Sequence, residues 1–152
     1  MSDLIKTFLE NNKLVTIATE DSGNPWICNV YYASDDDLNL YFLSSIEENH
    51  SKHIEENNNI AFTVVWFNPD NLSDRKSVQA KGKIEIVGVG KELIHGLKIY
   101  TKKFGRNYKE LHNELEHKLS DMRLYVIRTS YIKYWDDEQK KLGNDRVQEF
   151  NF

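Results

Sequence analysis

Hydrophobic residues recur along the chain in short blocks, and most of these blocks have the composition of β-strands. Short runs rich in Val, Ile, Thr and aromatic side chains, bounded by Gly, Pro, Asn or Asp, are typical of strands. Because short turns join several of the runs, they favour antiparallel pairing. The predicted strands span residues 14–19, 26–33, 38–44, 60–67, 77–89, 124–129 and 132–135.

Between these blocks, apolar residues return at helical spacing and predict four helices. Ser2 can cap the first helix with its hydroxyl oxygen. The tail, residues 136–152, is polar and is predicted to be a loop, although its Phe150 and Phe152 call for burial. The predicted helices span residues 1–12, 47–57, 91–104 and 108–119. About six strands and a few helices in one small chain indicate a closed or nearly closed β-barrel with helical caps.

Composition and charge narrow the function classes. The chain has 152 residues, one domain's worth, with 20 Lys and Arg against 24 Asp and Glu and a net charge of −4. A nucleic-acid binder usually carries a basic patch, so no nucleic-acid partner is expected. No apolar run reaches the length of a membrane span, and no signal-like segment begins the chain, so we expect no membrane partner and a cytoplasmic location.

Familiar catalytic and metal-binding motifs are not evident in the sequence. His50 and His53 share a helix face, but no third ligand follows at a zinc spacing, so no metal site is expected. Cys28 lies in the middle of a predicted strand and is interpreted as a small core residue. No Gly-x-Ser-x-Gly elbow and no full dinucleotide fingerprint occur. No catalytic residue is assigned.

Two segments carry more information about a ligand. The strand that ends at Leu43 and Ser44 leads into a predicted helix, and orphan N–H groups at a helix start suit a phosphate. Later, Trp135 ends a strand and Arg146 follows after a polar loop. A Trp face and an Arg could together hold a planar anionic cofactor.

The order of these segments resembles the pyridoxamine 5′-phosphate oxidase-like family of FMN-binding split β-barrels. The resemblance covers residues 14–146. It rests on LVTIATEDSGNP, DDDLNLYFLSS, HSKHIEENNNIAFTVV, SVQAKGKIEIVG and the closing IKYWDDEQKKLGNDRV. It implies a mainly β fold: a six-stranded antiparallel split barrel of Greek-key type with flanking helices, forming a single FMN-binding domain over residues 1–152.

The same resemblance implies a homodimer with FMN at its interface and each site built from both subunits. The implied function is that of an FMN-dependent oxidoreductase acting on an unknown small substrate. Because Lys141 and Gly143 or Asn144 stand where the oxidases carry a substrate-side Arg and His, a true pyridoxamine 5′-phosphate oxidase is not expected. The positions that the resemblance places against FMN are Asn29, Val30, Leu43, Ser44, Asn49, His50, Lys52, Ser77, Gln79, Trp135 and Arg146.

The chain also departs from the family pattern at the phosphate. Asn49 and His50 stand where the oxidases carry an Arg-Lys pair, and Asn29 replaces a further Arg. Each lost charge-assisted hydrogen bond weakens anion binding by about 1.5–3 kcal/mol. Two alternatives therefore stay open on the same fold. One is a non-enzymatic protein that binds haem, through His50 or His53, or another cofactor or stress-related ligand, and the other is an interaction protein without a cofactor.

Overall fold

The computed structural model describes residues 3–152, so the predicted cap Ser2 lies outside the described residues. Eight strands and five helices follow one another in this part of the chain. In chain order they are α1 Asp3–Asn11, β1 Leu14–Asp21, β2 Asn24–Tyr31, β3 Ala33–Ser34, β4 Leu40–Ser45, α2 Asn49–Glu56, β5 Asn59–Asn68, β6 Asn71–Ile86, α3 Lys91–Phe104, α4 Tyr108–Glu116, β7 Met122–Asp136, α5 Asp137–Lys141 and β8 Val147–Asn151.

All strand pairs of the sheet are antiparallel, as the short turns in the sequence predict. The order across the sheet is β2-β1-β5-β6-β7-β4-β3, and β8 adds to β7. β2 comes back beside β4 without a ladder of hydrogen bonds between them. The sheet is therefore a split barrel with flanking helices, and the predicted fold class is confirmed with eight strands in place of six.

Side chains alternate across the strands, and one face of each strand fills the barrel. The main core cluster includes Ile17, Phe62, Val78 and Ile132, and α1 closes one end of it. A second cluster, around Leu97 and other apolar residues of α3 and α4, packs on the sheet at β4 and β7. The opposite face of β1, β2, β5 and β6 is left exposed by these two clusters.

Two sequence predictions about strands and loops are corrected. The predicted strands 124–129 and 132–135 are one continuous strand, β7, whose pairing with β6 shifts at a bulge beside Gly82. A bulge admits an extra residue without ending the strand, so the polar break in the sequence does not interrupt β7. The tail is not a loop either, because it forms α5 and β8, and Phe150 packs against the main core.

No helix among the described residues is long and apolar enough to cross a membrane.

Candidate functional site

The outer face of the barrel is the exposed sheet surface formed by β1, β2, β5 and β6 and continued by β7. Alternation along the strands places the odd-numbered residues of β5 and their paired partners on this face. Many of them are apolar and yet exposed to solvent. The large exposed apolar side chains there are Leu14, Ile27, Tyr31, Val65 and Phe67. Several large exposed apolar side chains on one sheet face are typical of a binding surface.

At one end of the outer face, a tryptophan is contacted by two arginines. The guanidinium carbon of Arg146 lies 4.9 Å from the ring centroid of Trp135, and that of Arg75 lies 5.1 Å from it. Cation–π attraction stabilises both contacts. The sequence prediction that Trp135 and Arg146 act together is therefore consistent with their placement.

A single carboxylate, Asp137, orients this cluster. Its Oδ1 accepts a hydrogen bond from the indole Nε1 of Trp135 at 2.8 Å and lies 3.5 Å from Nε of Arg146. Its Oδ2 accepts the backbone N–H of Arg75 at 3.2 Å. Two guanidiniums against one carboxylate leave the cluster with a net positive charge, so it can receive the acidic group of a ligand. We call Arg75, Trp135, Asp137 and Arg146 the arginine–tryptophan cluster.

Sequence reasoning missed Arg75 and Asp137. Arg75 lies far from Trp135 along the chain, and only the pairing of β6 with β7 brings the two together. Asp137 was visible as an acidic residue two positions after Trp135, a spacing that allows a side chain to reach back to the indole, but this was not recognised.

Three further predicted site residues lie on the outer face. Ser77 is directly opposite Trp135 in the sheet and is almost fully buried beside it. Gln79 is exposed, one pleat further along β6. Asn29 lies on β2, where its Oδ1 accepts a hydrogen bond from the hydroxyl of Thr16 at 2.5 Å. Ser77 and Gln79 thus adjoin the arginine–tryptophan cluster, whereas Asn29 does not.

Ser44 and His50 form a buried pair on the inner side of the barrel. The hydroxyl of Ser44 and Nε2 of His50 are 2.7 Å apart, and the imidazole is only 5% exposed. Burial lowers the pKa of His50, because the charged imidazolium would lose its hydration, so the ring is neutral at pH 7. In this arrangement His50 supplies no positive charge to a ligand.

The start of α2 is poor in positive charge. Asn49 is exposed at the first helical position, and the preceding Glu48 makes no side-chain capping bond. Lys52 is exposed and its Nζ lies 3.5 Å from the carboxylate of Glu47. Two carboxylates, one engaged lysine and a neutral His50 make the start of α2 a weak site for a phosphate dianion, which only the helix N–H groups favour.

Val30 and Leu43 contribute side chains to packing. Val30 packs against the main core and Leu43 against the second cluster.

The predicted site residues consequently form two groups in one chain. Asn29, on β2, is separated from Ser77, on β6, by β1 and β5 in the sheet. At about 4.8 Å per strand spacing, three spacings amount to about 14 Å. The α2 residues lie on the β2 side of this gap, and the arginine–tryptophan cluster lies on the other side.

In the described part of the chain, neither group of predicted site residues contains a histidine cluster that could bind a metal ion. Among residues 3–152, no cluster of three His, Cys, Asp or Glu side chains could hold a metal ion. His53 is not free, since its Nδ1 lies 3.2 Å from the hydroxyl of Thr19 on β1. Burial, and secondarily the charge of Glu48, raises the pKa of Cys28 to about 11, so its thiol stays protonated and is a poor nucleophile.

Comparison with known proteins points to one family. A family model described as pyridoxamine 5′-phosphate oxidase matches residues 1–136. No curated protein sequence matches the chain.

Solved structures show the same fold at low sequence identity. A haem-binding protein from Mycobacterium smegmatis superposes with a TM-score of 0.74 and 16% identity over 96% of this chain and 55% of its own. HutZ, a haem storage protein from Vibrio cholerae, superposes with a TM-score of 0.68 and 20% identity over 85% of this chain and 89% of its own. An FAD-binding protein from Mesorhizobium loti superposes with a TM-score of 0.62 and 18% identity over 87% of this chain and 92% of its own. The chain spans just over half the length of the Mycobacterium protein.

Proposed function

The chain belongs to the pyridoxamine 5′-phosphate oxidase family, and from this premise we propose that it binds FMN between two copies of itself. The observation that carries the proposal is the arginine–tryptophan cluster at the edge of an exposed apolar sheet face. Trp135 offers a ring for a planar cofactor to contact, and Arg75 and Arg146 offer positive charge beside it.

A second copy of the chain would complete the proposed FMN site in two ways. It would cover the exposed apolar side chains of the outer face, and their removal from water favours association. It would also bring the α2 group of one subunit towards the arginine–tryptophan cluster of its partner, which a single chain keeps apart. The proposed assembly is therefore a homodimer with two sites.

The proposed roles of the individual residues follow from their placement. Trp135 and Arg146 position the ring edge, and Ser77 and Gln79 offer polar groups beside it. The backbone at Val30 and Leu43 and the start of α2 line the other side. Because the phosphate lacks its usual cations at Asn49 and His50, we expect weaker FMN binding than in relatives that carry the Arg-Lys pair.

Bound FMN would supply the electron-transfer chemistry, and the chain would hold and orient it. On this view the protein is an oxidoreductase for an unidentified small substrate, and no side chain is assigned as an acid or base. Its domain, residues 1–152, would act as one FMN-binding unit.

Haem is the second candidate, favoured by the lack of cations at the start of α2. A porphyrin needs a flat apolar surface for its ring and cations for its carboxylates. Arg75 and Arg146 could pair with these carboxylates. The names of the Mycobacterium and Vibrio proteins point the same way. FMN remains the first choice because His50 and His53, the two histidines of α2, both contact hydroxyls of barrel strands.

An absorbance spectrum of the purified protein, followed by titration with FMN under flavin fluorescence, tests the proposal. We expect saturable quenching at one FMN per subunit of a dimer, lost in Trp135→Ala and Arg146→Ala. Trp66→Ala is the matched control, because Trp66 lies in the inward-facing row of β5, on the opposite side of the sheet from the cluster, and should leave the titration unchanged.

Absence of saturable quenching in a folded dimer would refute the FMN proposal. A Soret band that grows on titration with haem in that same protein would favour the second candidate. A monomer at micromolar concentration would refute the two-subunit site.

A further inference from the structure

A second pocket opens at the end of the barrel that α1 covers, on the opposite side of the sheet from the arginine–tryptophan cluster. Its volume is about 470 Å³, within the usual range of small-molecule sites. The residues lining it are Asp3, Leu4, Thr7, Phe8, Asn11, Asn12, Trp66, Lys76, Tyr134 and Asp136. We call it the barrel-end pocket.

Strand alternation separates this pocket from the proposed FMN site. Trp66, Lys76 and Tyr134 continue the inward-facing rows of β5, β6 and β7. Ser77 and Trp135, their immediate neighbours, face outward. The two sites are therefore back to back across the same strands, and a ligand in one does not occupy the other.

The barrel-end pocket has aromatic walls. The rings of Phe8 and Tyr134 pack with centroids 5.5 Å apart, and Trp66 lies across the pocket at the end of β5. Trp66 remains 39% exposed, although it belongs to the inward row of its strand. An apolar body that enters the pocket would cover this indole.

A buried carboxylate forms the polar part of the pocket. Asp136 is 1% exposed, and its carboxylate accepts hydrogen bonds from the hydroxyl of Tyr134 and the backbone N–H of Glu138, both at 3.0 Å. Nζ of Lys76 lies 3.9 Å from Oδ2 of Asp136 but donates to Glu138 at 2.6 Å. The single lysine of the pocket is thus compensated by two carboxylates.

The charge that remains favours a cation. Asp3 adds another carboxylate at the rim, so the carboxylates of Asp3, Asp136 and Glu138 outnumber the single ammonium of Lys76. An anionic ligand would meet Asp3 and Asp136, whereas a cation would be attracted by both and by the face of Trp66.

We infer that the barrel-end pocket binds a small organic cation with a flat apolar body, such as an arylalkyl amine. The apolar body would lie between Phe8 and Trp66, and the ammonium would face Asp3 and Asp136. The inference is independent of FMN, because no residue of the pocket belongs to the proposed flavin site.

Calorimetric titration of the full chain without added FMN, at pH 7, tests this inference with three probes of similar size. Phenethylammonium should bind at one per chain, 2-phenylethanol more weakly, and 3-phenylpropanoate not measurably. Trp66→Ala should weaken phenethylammonium binding about tenfold, as expected for the loss of an aromatic ring contact with the apolar body of the probe. Trp26→Ala, which removes an exposed tryptophan outside the pocket, should leave it unchanged.

Asp3→Asn gives a second variant that leaves the core intact, since Asp3 is exposed. It should weaken phenethylammonium binding about threefold, the size typical of an exposed charge pair, while Asp121→Asn, at the opposite end of β7 from the pocket, should not. Equal binding of the cation and the anion, no measurable heat with phenethylammonium at millimolar concentration, or equal effects of Trp66→Ala and Trp26→Ala would each overturn the inference.

Discussion

Replacing Asn49 by arginine should strengthen the binding of FMN and leave the binding of riboflavin unchanged. Asn49 is exposed at the first position of α2, so a longer side chain there meets no packed neighbour. FMN and riboflavin share the same ring and differ in the phosphate. The ratio of their affinities therefore isolates what the start of α2 contributes to binding the phosphate.

The expected size of the effect is modest. In water, a charge pair about 5 Å apart is worth about 0.8 kcal/mol, and a phosphate carries a charge near −2, which roughly doubles this attraction. Glu47 and Glu48 lie beside the new arginine and compete for it, and salt screens an exposed site. We therefore expect a gain of about 1 kcal/mol, or about fivefold tighter FMN binding.

Flavin fluorescence titrations of Asn49→Arg, the neutral control Asn49→Gln and the unaltered chain measure this gain. The advantage of the arginine should shrink between 0.05 and 0.5 M salt, because the Debye length falls severalfold. A fivefold gain for riboflavin as well as FMN, or no gain for either in a chain that binds both, would show that the phosphate does not approach α2.

Three further predictions concern the scaffold. Gly96→Ala should destabilise the chain by about 1 kcal/mol in urea unfolding, because the new Cβ would lie 2.6 Å from the ring of buried Tyr41. The cost of overpacking, about 1–3 kcal/mol, exceeds the gain in helix propensity of about 1 kcal/mol. Net stabilisation would contradict this close packing. Gly82→Ala should destabilise the chain by about 2 kcal/mol, since its Cβ would meet the backbone oxygen of Arg128 at 2.5 Å, and in a chain of this size this should lower Tm by about 4–8 °C. An unchanged Tm in a thermal melt would argue against the bulge geometry. Burial lowers the pKa of His50 in the folded chain. Below about pH 6.5 the imidazole is therefore protonated more readily in the unfolded chain than in the folded chain, so the free energy of unfolding should fall as the pH drops through that value. His50→Gln should flatten this part of the pH profile of urea midpoints, and an identical slope in both proteins would refute the assignment.

Most of the fold was predictable from the sequence because strand and helix signals are local. The runs at 14–19 and 60–67 coincide with β1 and β5, and the stripe that includes Leu93 and Leu97 coincides with α3. The errors occur where long-range pairing overrides local polarity. β7 continues past Ser130 because β6 pairs with it on both sides of the bulge, and β8 forms because β7 offers it an edge.

The candidate site was predictable only in part. The association of Trp135 with Arg146 followed from the resemblance and agrees with their contact at 4.9 Å. The role of Arg75 depended on the register between β6 and β7, which no short sequence pattern specifies. His50 shows the same limit, since its spacing on α2 was visible but its burial against Ser44 depends on how α2 sits on β4.

By itself, the sequence determined the strand and helix content, the antiparallel connections and membership of the pyridoxamine 5′-phosphate oxidase family, because each of these depends on local patterns and on the order of segments. The tertiary structure alone decided which side chains meet. It turned His50 inward to a neutral pair, left the start of α2 without a free cation, set Arg75 against Trp135, and opened a pocket beneath α1. Burial and charge balance are properties of side chains brought together from distant parts of the chain, so they appear only once the strands have paired.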